Sequence, residues 1–204
     1  MHKQMAKLLL DIEAVQINPK EYFTWTSGMK SPVYCDNRLT ISYPKVRKHI
    51  VKSFVHLIEK LELDIDIIAG CATAGIPHAA FLAEALDLPM VYVRSDKKSH
   101  GTGNQIEGVL HKGDRVLVIE DLISTGGSAI EAAQALQKEG AIISAVFAIF
   151  TYELKKADEN FSEANLEHKT ITNFTDILHV LIEEGKLDQD DKEELNSWHK
   201  QFKI

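Results

Sequence analysis

Cysteine is scarce in this 204-residue chain: Cys35 and Cys71 are the only two. Two thiols cannot make a disulfide framework, and they lack metal-ligand spacing. Positive charge is also in deficit, with 23 lysines and arginines against 30 acids and a net charge of −7. That balance disfavours a nucleic acid or an anionic membrane as the main partner, so any bound anion must meet a local basic cluster. No apolar run reaches the roughly 20 residues of a bilayer span, and the N-terminus has no signal-peptide core. The expected location is therefore the cytoplasm, where the glycosylation-like Asn160-Phe-Ser and Asn173-Phe-Thr are chance matches. None of the 9 histidines forms a zinc-like pair on one helix face. Walker A and Gly-x-Gly-x-x-Gly spacings are missing, as are repeats, linkers and low-complexity stretches.

What is present is organised around Val116–Gly140, VLVIEDLISTGGSAIEAAQALQKEG. Val116 to Ile119 is a short continuous apolar run, the mark of a strand buried on both faces of a parallel sheet. Glu120 and Asp121 follow where the strand leaves the core, and Thr125, Gly126, Gly127 and Ser128 make a small turn. Ser128 and Glu131 have capping-box spacing, which predicts a helix starting there and stopping at Gly140. Glycines let backbone N–H groups approach an oxyanion at a helix N-terminus, where the dipole favours negative charge. Carboxylates would repel that anion but accept hydrogen bonds from sugar hydroxyls. The order of strand, acids, turn and helix thus points to a phosphorylated ribose.

The flanking chain reads as alternating elements. Met5, Leu8, Leu9, Ile12 and Val15 predict an amphipathic N-terminal helix. Residues 23–38, FTWTSGMKSPVYCDNR, read as two short extended pieces, open to hairpin pairing, lying over the sheet. Pro44 opens a long helix with Val46, Ile50, Val51, Phe54, Leu57, Ile58 and Leu61 on one face. Strands are expected at 65–69, 89–93, 142–150 and 166–171, with 109–111 and 116–119 able to pair as a hairpin. Helices are expected at 154–161, after Asn173 and after Asp188. The pattern is an α/β doubly wound sheet. It is expected as one domain, 1–204, with an N-terminal hood to about residue 40 and a helical tail from about 173.

Ligands of such sheets sit beyond the carboxyl ends of strands. Three loops leave those ends. The loop 70–75, with Ala72 and Thr73, suits a pyrophosphate. The segment from Arg94 to Gln105 is expected to be mobile and supplies Arg94, Lys97, Lys98 and His100 as cations. Residues 120–128 take the ribose and its 5′-phosphate.

VLVIEDLISTGGS resembles the thirteen-residue 5-phosphoribosyl 1-pyrophosphate (PRPP) motif of type I phosphoribosyltransferases. FTWTSGMKSPVYCDNR is similar to the N-terminal signature of the orotate phosphoribosyltransferases, and RSDKKSHGTGNQIEG to their catalytic loop. The resemblance covers residues 23–128. It implies the type I fold, a mostly parallel twisted sheet flanked by helices under a hood. It also implies transfer of the phosphoribosyl group to orotate in pyrimidine synthesis, the alternative being another nucleobase. A regulator that senses PRPP while binding RNA or DNA is disfavoured by the acidic balance. The resemblance implies that Arg94, Lys97, Lys98 and His100 bind pyrophosphate, with the loop reaching into the partner subunit of a homodimer. Ala72 and Thr73 line the same substrate. Glu120 and Asp121 would hold ribose hydroxyls, and Leu122, Ile123, Ser124, Thr125, Gly126, Gly127 and Ser128 the 5′-phosphate cradle. Ser124, Ser27, Lys30, Tyr34 and Cys35 would face orotate. Lys98 and Asp121 are assigned to catalysis, and Mg²⁺ to substrate and water rather than to protein ligands. The chain departs from many members at Thr26 and Ser95, where they carry lysine, with Lys97 a candidate to cover for the second. It also has no arginine in FTYELKK after the last long strand, where Tyr152 or a backbone group could stand in.

Overall fold

A computed structural model describes residues 2–25, 28, 30–95 and 105–203. Helix α1 (His2–Asp11) buries Met5, Ala6 and Leu9. It stops short of the expected Val15 because Glu13 turns left-handed (φ 57°) and the Ala14 N–H closes back on the Leu9 carbonyl at 2.9 Å. Val15 instead begins strand β1 (Val15–Ile17). The hood continues with β2 (Phe23–Thr24) and β3 (Lys30–Ser31), an antiparallel hairpin, and β4 (Val33–Cys35), which pairs with β1. A 3₁₀ turn at Asn37–Ser42 leads into α2 (Pro44–Lys60).

The remaining elements alternate: β5 (Ile67–Cys71), α3 (Gly75–Leu86), β6 (Met90–Val93), β7 (Ile106–Glu107), β8 (Arg115–Ile123), α4 (Gly127–Lys138), β9 (Ile142–Thr151), α5 (Lys155–Glu163), β10 (His168–Asn173), α6 (Phe174–Glu183) and α7 (Gln189–Lys203). Strand order in the six-stranded sheet is β10-β9-β8-β5-β6-β7, parallel except for β7. The continuous apolar run of β8 is explained by its two covered faces. Leu117 and Ile119 pack with Ile68, Phe54 and Phe147 on one side; Val116 and Val118 pack with Ala69, Val146, Ala129 and Leu136 on the other.

Two expectations are corrected here. Residues 109–111 do not pair with β8, because β5 and β9 already occupy both of its edges. The chain instead closes a tight turn in which the Asp114 carboxylate accepts the His111 N–H at 2.7 Å. The antiparallel strand is β7, laid on β6. Ser128 is not the cap of α4. Gly126 stands there in a left-handed conformation (φ 84°), and its carbonyl accepts the Ile130 N–H at 3.0 Å.

The hood is fastened by aromatic rings. Trp25 lies 4.5 Å from Tyr152 and 6.3 Å from Trp198, and its indole N–H donates to the Val33 carbonyl at 3.0 Å. Trp198 on α7 also meets Phe174 and donates to the Lys30 carbonyl at 3.4 Å. The C-terminal helix is thus a strap across the hood. Among the described residues no helix is long and apolar enough to cross a membrane.

Candidate active site

The chain turns one way from β5 through α3 to β6 and the other way from β8 through α4 to β9. The crevice between the ends of β5 and β8 is therefore the switch point of the sheet, where open α/β folds bind ligands. A cavity of about 340 Å³ lies there, lined by Ala72, Thr73, Ala74, Glu120, Asp121, Leu122 and 124–128. Two of the loops picked out from the sequence therefore meet in one space.

Close approach of backbone makes this possible. A Cβ on Gly75 would lie 2.4 Å from the Ile119 carbonyl oxygen, so only glycine lets the first turn of α3 rest against the end of β8. The 72–73 peptide, which is cis, is carried next to the acids by that contact. On the opposite side, Phe161 of α5 packs on Gly126, and the Asn160 Nδ2 donates to the Thr125 carbonyl at 2.9 Å. The turn is thus supported from α5.

The two acids differ in their bonding. Glu120 is only 5% exposed; one carboxylate oxygen accepts the Asp121 N–H at 2.9 Å and the other the Ser128 hydroxyl at 3.0 Å. Burial first, and then Asp121, push Glu120 up to about 8. Asp121 is raised chiefly by burial, against the pull of Arg38 and of backbone N–H donors. Its carbonyl accepts the Asn37 Nδ2 at 2.7 Å. Two buried acids that share a cavity with small residues form a site suited to the hydroxyls of a polyol.

The hood reaches this crevice through Asn37, whereas Lys30, Tyr34 and Cys35, singled out from the sequence, are not among the residues that line the cavity. Lys30 and Tyr34 are exposed, Tyr34 with its ring 5.8 Å from Phe23. Cys35 is buried, and its thiol is pushed well up by burial and by Asp121. Cys71 at the end of β5 is likewise raised by burial and by Glu120, so neither sulfur is an activated nucleophile. Tyr152 is 3% exposed, packed against Trp25 and Phe150. Through its ring contact with Trp25 it helps to hold the hood. Arg38 is bound in a two-pronged pair to Asp36 at 2.6 and 2.8 Å.

Arg94 leaves the end of β6, its guanidinium 3.6 Å from Glu107. Its N–H donates to the Gln105 carbonyl at 2.9 Å, and the Gln105 side chain donates to the Arg94 carbonyl at 2.8 Å. Lys97, Lys98, His100 and Ser27, all singled out from the sequence, lie outside the described residues.

Asn37 and Asn160 were not legible as site residues. Asn37 reaches Asp121 across 84 positions, which no local pattern encodes. Asn160 stood out only as a glycosylation-like triplet.

Comparison with known proteins agrees with this geometry. Residues 37–175 match the family described as phosphoribosyl transferase domain. The chain is 60% identical over 195 residues to a protein of Oceanobacillus iheyensis named orotate phosphoribosyltransferase, covering 96% of each. It is 54% identical over 198 residues to one of the same name from Staphylococcus saprophyticus, covering 97% of this chain and 98% of that one. Among solved structures it resembles orotate phosphoribosyltransferase from Aeropyrum pernix, with a TM-score of 0.77 and 27% identity over 90% of this chain and 99% of that one.

Proposed function

As a member of the phosphoribosyl transferase domain family, and within it of the orotate phosphoribosyltransferases, this chain acts, we propose, on PRPP and orotate. It is an enzyme that moves the 5-phosphoribosyl group to orotate, giving orotidine 5′-phosphate and pyrophosphate in pyrimidine synthesis. The observation that carries this reading is the single cavity in which the 72–74 loop, the Glu120–Asp121 pair and the 124–128 turn converge.

In this reading the 124–128 turn receives the 5′-phosphate on backbone N–H groups at the start of α4. Glu120 and Asp121 take the ribose hydroxyls, whose donors favour the ionised acids. Ala72 and Thr73 border the pyrophosphate, and Arg94, Lys97, Lys98 and His100 stabilise its charge as the bond to C1′ breaks. C1′ then gains oxocarbenium character and is met by the orotate nitrogen. That nitrogen needs positioning more than a strong base, and Lys30, Tyr34, Cys35, Ser27 and Ser124 supply it.

Mg²⁺, when bound, neutralises charge on the departing pyrophosphate. The donor set fits an ion that arrives on the substrate. The cavity lining offers two carboxylates, Glu120 and Asp121, too few for a cage around an octahedral ion. The chain is read as a cytoplasmic homodimer in which the segment between β6 and β7 serves the partner's site. The test is Mg²⁺-dependent loss of orotate absorbance on adding PRPP. No change at any enzyme concentration would sink the reading; a panel of other bases identifies the alternative acceptor.

A further inference from the structure

The parallel ladder between β5 and β8 ends at the pair Gly70–Ile119. Beyond it β8 runs on for four residues with β9 on one side only. The Asp121 carbonyl lies in this overhang, and its hydrogen bond comes from the Asn37 side chain at 2.7 Å rather than from a strand. The Asp121 N–H is held by Glu120 at 2.9 Å. Both backbone groups of this acid are therefore fixed by side chains.

Asn37 is itself held in a buried polar chain. It is 1% exposed, and its carbonyl accepts the hydroxyl of Thr40, which is fully buried, at 2.6 Å. With that hydrogen spent, the 3.4 Å contact between Thr40 Oγ1 and His78 Nε2 has to be donated by the histidine. His78 is 1% exposed and belongs to α3, the helix that follows the 72–74 loop. The chain His78–Thr40–Asn37–Asp121 thus ties the hood to both loops of the crevice. Asn37 Oδ1 is buried and has no hydrogen-bond partner among the described residues. An asparagine kept for stability alone would not leave its acceptor orphaned, since such a group costs free energy.

We propose that Asn37 is a positioning residue: through its bond to the Asp121 carbonyl it sets the carboxylate that meets the ribose. This rests on the reading of Asp121 as a ribose ligand given above. Substitution Asn37→Leu keeps the shape and removes the bond, and the orphaned Asn37 acceptor it removes offsets the Asp121 carbonyl it leaves unpaired. Its melting temperature should stay near that of the parent, while the KM for PRPP rises about tenfold and that for orotate stays within about twofold. A PRPP KM within twofold of the parent overturns the proposal. Should Asn37→Leu not fold, Thr40→Val decides. A PRPP KM raised at least about threefold, and restored by Thr40→Ser, supports the proposal; an unchanged value overturns it. Lack of turnover by the parent chain would instead remove the activity itself, so the two failures are distinct.

Discussion

Glu120 accepts the Ser128 hydroxyl at 3.0 Å, so the end of β8 and the first turn of α4 hold one another across the turn between them. The bond spends one oxygen of a buried acid on fixing the cradle. The other is spent on the next residue's backbone.

That burial has a pH signature. Glu120 is held above its ordinary 4.5, at about 8, by burial and by Asp121. The stability due to its protonated form is complete below about 4.5, is lost as pH climbs, and is gone above about 8. The ligand-free protein should therefore melt at progressively lower temperature from pH 5 to pH 8. Glu120→Gln should flatten the decline. Calorimetric melting profiles of the two proteins check this, and parallel slopes would acquit Glu120.

The glycines of the turn separate folding from binding. A Cβ at Gly126 would fall 2.6 Å from Phe161, on a left-handed backbone, whereas one at Gly127 meets nothing within 4 Å. Gly126→Ala should cost on the order of 2–3 kcal/mol, visible as a fall of roughly 5–10 °C in Tm. Gly127→Ala should leave Tm almost unchanged yet weaken PRPP binding, because Gly127 lines the cavity and its backbone belongs to the turn that receives the phosphate. Thermal melts with titration of PRPP distinguish them.

Asn160→Ala takes away the side chain that holds the Thr125 carbonyl. The bond is exposed, so stability should change little. The KM for PRPP should rise by about two- to tenfold, the worth of one such bond. Steady-state kinetics at saturating orotate are the measurement.

Lys98→Ala should lower kcat by about 10²–10³ with folding intact, as for loss of one charge-stabilising donor. Circular dichroism confirms the fold, and single-turnover assays read the chemistry. Wild-type turnover would take Lys98 out of the mechanism.

The fold was largely legible because its signals are local. The apolar run of β8, Pro44 at the start of α2, and Asn173, whose side chain accepts the Asp176 N–H at 2.8 Å to cap α6, each act within a turn or a strand. The Ser128–Glu131 spacing misled because the serine hydroxyl went to an acid eight residues upstream, a partner that only folding provides. The 109–111 strand failed because β8 had no free edge, a fact of sheet order and not of sequence. The acids and the glycine turn could be read as a site since they are consecutive. Asn37 and Asn160 could not, because each acts on a backbone carbonyl distant in sequence.

The ring cluster that fastens α7 to the hood contains both tryptophans of the chain, Trp25 and Trp198. Indole fluorescence therefore reports from one place only. Emission excited at the indole band should follow the seating of a base under the hood. It should be nearly blind to what happens at the sugar phosphate, giving a label-free way to time the two arrivals separately.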